Sequence, residues 1–191
     1  MLELGHRRIA YLGVRNTLGR PSEIRLHGYM DAMQEFGIAV PDEWICNHLW
    51  ASDNTERAER ADAMGWETLL KQNGVRPESN ELPFTGLVCY NDPIAMGAIN
   101  SIKEQGWQVP EDISVVGFDN TPNANFSPIL TSVGYDRSEL GRTAIRVLLD
   151  AISNTDDNAS DLKFQHAIVD TYLAIGESTG APKEARELVE S

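Results

Sequence analysis

Apolar positions along the chain follow two alternating rhythms. Short runs in which nearly every position is apolar predict buried strands: residues 8–14 (RIAYLGV), 44–49, 84–90 (FTGLVCY), 113–118 (ISVVGF) and 131–135. A last strand is expected around residues 164–173. Between these runs the spacing turns helical. Leu26, Tyr29, Met30 and Met33 share one face of a helix reaching Phe36, with Gly37 where a left-handed C-cap belongs. Asp53 and Glu56 form a capping-box spacing ahead of a helix that ends near Gln72, with Gly74 behind it. Ala95, Ala98, Ile99 and Ile102 define a third helix, closed by Gly106, and Asp136 with Glu139 repeats the capping box before a fourth. The polar stretch from Asn154 to Asp161 separates that helix from the last strand.

Strands that alternate with helices, each strand apolar on both sides, predict an α/β fold: a Rossmann-like, doubly wound, mostly parallel sheet covered on both faces. Such sheets bind ligands beyond the carboxyl ends of their strands. The polar residues just past each strand are therefore the candidate site: Arg25 beyond the first, Trp50 beyond the second, Asn91 and Asp92 beyond the third, Asp119 beyond the fourth. A cation, an aromatic, an amide and carboxylates on one rim suit a small polar or polyhydroxylated ligand.

Charge narrows the function. The 191 residues carry 16 Lys plus Arg against 29 Asp plus Glu, a formal net charge of −13, with no basic cluster to meet nucleic-acid phosphates. Cys46 and Cys89 sit in apolar runs and read as two buried thiols in a reducing compartment. No apolar run approaches the roughly 20 residues a membrane span requires, and the first residues show no signal-peptide pattern, so a cytoplasmic protein is expected.

Enzyme chemistry finds little support. His6, His27, His48 and His166 lack metal-ligand spacing, and no phosphate loop is present. Gly176, Ser178 and Gly180 imitate a nucleophile elbow, but no histidine follows them to act as base, so a turn after the last strand is expected there. Asp119 at a strand end has no early-strand carboxylates to hold magnesium with it, which removes a phospho-acceptor role. Neither an enzyme nor a cofactor or metal site is expected.

Six strings are more specific: LGHRRIAYLG (4–13), IRLHGYMDAM (24–33), VCYNDPIAMGAI (88–99), VPEDISVVGFDN (109–120), LTSV (130–133) and GEST (176–179). In this order and spacing the chain resembles the lactose/galactose repressor family of transcription regulators. The resemblance implies a fold like the periplasmic sugar-binding proteins, with two Rossmann-like subdomains and an effector between them. It also implies that this chain begins at the carboxy-terminal subdomain, so that DNA is reached only through a headpiece these residues do not include. On that reading residues 1–135 form the effector-binding subdomain. Residues 136–172 are a helix and strand belonging to the other, largely missing, subdomain, and 173–191 are a tail.

Carried over residue by residue, the resemblance makes Arg25 a bidentate donor to effector oxygens and Asn91 an amide partner for a hydroxyl. Asp119 becomes the carboxylate that accepts from two hydroxyls or a base edge. Asp92 reads instead as the N-cap of the third helix, with Pro93 at its first position. Trp50 fits either stacking on a sugar's apolar face or a place in the core. Tyr135 departs from the polar residue, often Gln, that relatives carry, and leaves the effector's identity open. Met96, Ile99 and Phe126 are dimer-contact candidates, each also readable as core. The expected protein is a homodimeric sensor of a small-molecule effector, most simply a carbohydrate. The alternative is a transport-type sugar-binding protein of the same fold. The broad apolar stripe of residues 136–153 further suggests docking on a second copy of the chain.

Overall fold

The computed structural model describes residues 1–14, 21–49, 55–76, 79, 81–122, 125–153 and 166–187. Six strands and five α-helices run in the order β1 (Ile9–Val14), α1 (Pro21–Glu35), β2 (Ile45–Leu49), α2 (Thr55–Gln72), β3 (Gly86–Cys89), α3 (Asp92–Glu104), β4 (Ser114–Phe118), β5 (Thr131–Tyr135), α4 (Arg137–Ser153), β6 (Thr171–Ala174) and α5 (Lys183–Glu187). The strands form one sheet of order β2-β1-β3-β4-β5-β6, parallel throughout except that β6 runs antiparallel to β5. The chain reverses direction across the sheet at β1, the switch point at which doubly wound folds open a crevice.

The helix ends follow the sequence signals. Gly37, Gly74 and Gly106 all take positive φ, the conformation in which a glycine after a helix carries no Cβ penalty. The capping box at Asp136 forms: the Glu139 amide donates to Asp136 Oδ1 at 2.9 Å. The one expected at Asp53 and Glu56 lies outside the described side chains.

β6 departs from expectation. Pairing begins at Thr171, opposite Tyr135, and ends at Ala174, opposite Ser132, instead of running through residues 164–173. The cause is length: β5 gives way to α4 just past Tyr135, so residues before Thr171 find no strand to pair with. Ile168 is accordingly almost fully exposed despite its apolar side chain.

Two cores lie on the two faces. Odd-numbered β1 residues Ile9 and Tyr11 meet Tyr29 and Met33 of α1, and the Tyr29 hydroxyl donates to the Ile9 carbonyl at 2.7 Å. Ala10, Leu12 and Val14 face the larger core, where Trp66, Leu69, Phe84, Leu87, Ile94, Ala98, Ile99, Ile102 and Val115 are buried between the sheet and the α2–α3 layer. Each such Leu, Ile or Phe contributes about 1.5–3 kcal/mol by leaving water. Ile99 is fully buried there and offers nothing to a partner chain; Phe126 is half-buried against the same core. Helical spacing alone does not distinguish a buried face from an interface. Cys46 and Cys89 are both buried free thiols.

The GEST string is a strap across the sheet's amino end. Ser178 is fully buried, its hydroxyl donating to the Val115 carbonyl at 2.7 Å and accepting from the Thr131 amide at 2.8 Å. His6 bridges Thr85 and the Gly180 carbonyl at 2.9 and 2.8 Å. Gly176 lies so close to the Ile129–Leu130 backbone that no Cβ fits. With both hydroxyl functions committed to backbone, Ser178 is a structural residue. No helix among the described residues is long and apolar enough to cross a membrane.

Candidate functional site

Arg25 stands in the second turn of α1 and reaches across the carboxyl ends of β3 and β4. One guanidinium nitrogen donates to the Tyr90 carbonyl at 2.5 Å and the other to Asp119 Oδ1 at 3.2 Å. The plane is clamped between two rings, its central carbon 3.7 Å from the Phe118 ring centre and 4.5 Å from that of Tyr90. The rings supply cation–π attraction and fix the rotamer of an otherwise flexible side chain.

Asp119 follows β4 directly. It and Asn120 both adopt positive φ, 102° and 44°, a region L-residues rarely occupy, and such strain persists where surrounding contacts over-determine it. Those contacts are visible. The Asp119 amide donates to the Val133 carbonyl at 2.8 Å and the Asn120 amide to Ser132 Oγ at 3.0 Å. Arg137, from the first turn of α4, donates to the Asp119 carbonyl at 2.6 Å and the Asn120 carbonyl at 3.2 Å. Burial pushes the Asp119 carboxyl above its usual range, and the nearby Arg25 cation opposes that shift without cancelling it.

Asn91 and Asp92 exchange the parts the sequence gave them reason to play. Asn91 is the N-cap of α3, its Oδ1 accepting from the Ile94 amide at 3.1 Å, which leaves its amide nitrogen for a ligand. Asp92 is buried, accepting from the Ser132 hydroxyl and the Thr121 amide, both at 2.5 Å. It thereby ties α3 to the loop after β4 and to β5. Gly117 leaves room for it: a Cβ there would meet the Asp92 carboxylate and come within 2.8 Å of Leu130.

Arg25 and Asp119 are thus in direct contact, and Asn91 is the neighbour of Tyr90, whose carbonyl Arg25 holds. Tyr135 ends β5 at the same edge, its half-buried ring 5.6 Å from the Arg137 guanidinium. Trp50 lies outside the described residues. Met96, half-buried on α3, is remote from this edge in the chain and takes no part in the contacts described.

Sequence reasoning missed the clamp and the floor. Tyr90 and Phe118 occupy matching places, the residue just before the Asn–Asp and Asp–Asn pairs, and that symmetry was the available signal. Tyr11 and Asn47 are the two described residues with a buried side-chain polar atom lacking any hydrogen-bond partner, the Tyr11 hydroxyl and Asn47 Oδ1. They flank Gly13, near the carboxyl ends of β1 and β2. Burial raises the Tyr11 phenol well above its usual pKa, so it remains a neutral donor. Orphaned polar atoms beside a binding edge mark places for ligand or ordered water.

A family profile described as a periplasmic binding protein-like domain matches residues 1–179. The HTH-type transcriptional repressor PurR of Klebsiella pneumoniae is 34% identical over 174 residues, covering 89% of this chain and 46% of that protein. Among solved structures, a sugar-binding transcriptional regulator of the LacI family from Escherichia coli, complexed with phosphate, is 30% identical with a TM-score of 0.71. That match covers 95% of this chain and 58% of that one. The Escherichia coli transcriptional repressor ascG is 28% identical with a TM-score of 0.70, covering 94% and 58%. The chain belongs to the periplasmic-binding-protein-like domain family, in the branch formed by the effector-binding regions of LacI-family regulators. It spans about half the length of the curated relatives it matches. Those homologues are transcriptional regulators, not enzymes.

Proposed function

We propose that Arg25, Asn91 and Asp119 form the rim at which this chain binds a small, hydroxyl-rich effector, most simply a carbohydrate, as the sensing part of a transcription regulator. The observation that carries the reading is the pinned Arg25: a guanidinium stacked between two rings, with Asp119 beside it and the Asn91 amide one residue from its carbonyl partner. Donors and an acceptor fixed in one place match a vicinal diol, whose hydroxyls each give and take a hydrogen bond. The unspent Tyr11 hydroxyl and Asn47 Oδ1 support the same class, since a hydroxyl satisfies both where a carboxylate or phosphate leaves Asn47 Oδ1 unpaired. A neighbour whose name describes it as sugar-binding agrees with this reading. DNA contact belongs to a headpiece that these 191 residues do not supply, as their net charge of −13 accords with.

The test is a ¹H–¹⁵N shift titration of the chain with D-galactose, D-glucose, D-ribose and adenine at millimolar concentration, the range in which half a cleft still registers. A sugar that shifts the resonances of Arg25, Asn91 and Asp119 together, and stops doing so in Asp119→Ala, supports the reading. A response confined to adenine replaces carbohydrate by a nucleobase. A sugar response that survives Asp119→Ala removes the site.

A further inference from the structure

The sheet face under α1 is partly open. α1 lies over β1, and beside it an apolar groove of about 920 Å³ extends across β3, β4, β5 and β6. Val88, Val116, Phe118, Val133, Leu173 and Ile175 line it, the strand positions that alternate with those facing α2 and α3. The groove runs along the strands, from Arg25 at their carboxyl ends to Leu2 and Gly180 at their amino ends. A five-residue strand spans about 17 Å. Parallel strands carry cover on both faces, and this face has a slot the size of one more helix.

The same chain holds a helix without cover. None of the α4 residues is buried, and Leu140, Ile145, Leu148, Leu149 and Ile152 are each 46–60% exposed. Leu140 to Ile152 covers about 18 Å of helix, the length of the groove. The stripe amounts to roughly 500 Å² of apolar surface, beyond what monomers ordinarily leave in water. Arg137 fixes the first turn of α4 on the Asp119–Asn120 loop, which leaves the rest of the helix standing off its own sheet.

We propose that two copies of the chain dimerise by seating α4 of each in the sheet groove of the other. The arrangement is isologous: each copy gives a helix and receives one. Helix face and groove together remove roughly 800 Å² from each copy, the size of a standard stable interface. Charge agrees, because Arg146 flanks the stripe on α4 and Glu3 stands at the groove's amino end.

Sedimentation equilibrium of the 191-residue chain tests this. The expected mass at micromolar concentration is twice 21.2 kDa. Leu148→Glu on the helix and Leu173→Glu in the groove should each raise the dissociation constant about a hundredfold. Both side chains are more than half exposed, so the fold should survive, as circular dichroism will show. If either variant unfolds, Ile145→Glu and Ile175→Glu replace the pair. Oxidation of a Leu148→Cys, Leu173→Cys chain should yield a covalent dimer, with the native thiols buried and out of reach. A monomer, a dimer indifferent to both substitutions, or a disulfide closed within one chain would each overturn the proposal.

Discussion

Arg25 and Asp119 lie 94 residues apart in the chain and meet at 3.2 Å, with the guanidinium held between Phe118 and Tyr90. The contact joins the first helix to the end of the fourth strand and makes the binding edge a single unit. A lysine keeps the charge but has no fork, so it cannot serve the Tyr90 carbonyl and Asp119 together, nor stack as a plane. Arg25→Lys should weaken effector binding about tenfold or more while changing unfolding free energy by about 1 kcal/mol or less, read by titration and urea denaturation. Equal affinity in the two proteins would mean that Arg25 merely packs.

The raised pKa of Asp119 fixes the sign of a pH effect. Burial outweighs the attraction of Arg25, so ionising this carboxyl works against the folded state. Its contribution to stability is fully present below the unfolded-chain value of 3.8 and is lost as pH rises through the raised folded value. Asp119→Asn should therefore gain stability relative to the parent across that window and hold the gain above it, as effector binding falls. Denaturant titrations at a series of pH values measure it. A variant that loses ground as pH rises would show that the Arg25 pairing dominates.

Asp92 should behave in the opposite way, as a structural carboxylate. Its two hydrogen bonds, to Ser132 and the Thr121 amide, are buried and charge-assisted. Asp92→Ala should cost about 3 kcal/mol, a fall in melting temperature of about 6–12 °C. Gly117→Ala, which forces a Cβ against the same carboxylate, should also destabilise, by about 1–3 kcal/mol. Calorimetry decides both.

Asn91 carries a cap and an amide, and these separate by substitution. Asn91→Ala removes both and should cost about 1 kcal/mol of stability. Asn91→Asp keeps the oxygen that accepts from Ile94 and loses the donors, so stability should hold while effector affinity drops. Undiminished affinity in Asn91→Asp would confine this residue to capping.

The sheet was legible because local pattern and burial agree: β5 begins and ends where the apolar run does, at Thr131 and Tyr135, and glycines close the helices where their conformation is needed. Local pattern fails where a distant group decides. Either member of the Asn91–Asp92 pair suits a cap before Pro93; the Ser132 hydroxyl, 40 residues on, claims Asp92 and leaves the cap to Asn91. The start of β6 is set by where β5 stops, and no property of residues 164–173 encodes that. The Phe118–Tyr90 clamp exists only once β3 and β4 are side by side. Ile99 shows the converse, since a surface and a core residue at the same helical spacing look alike until the α2 layer is placed over it.

The central claim is that Arg25 and Asp119 together grip the effector. A crystal structure of the chain with the sugar that its titration selects tests it most directly. The account predicts ligand oxygens at about 2.7–3.2 Å from both the Arg25 guanidinium and the Asp119 carboxylate. A ligand seated elsewhere on the molecule, with the Arg25–Asp119 pair untouched, would contradict it.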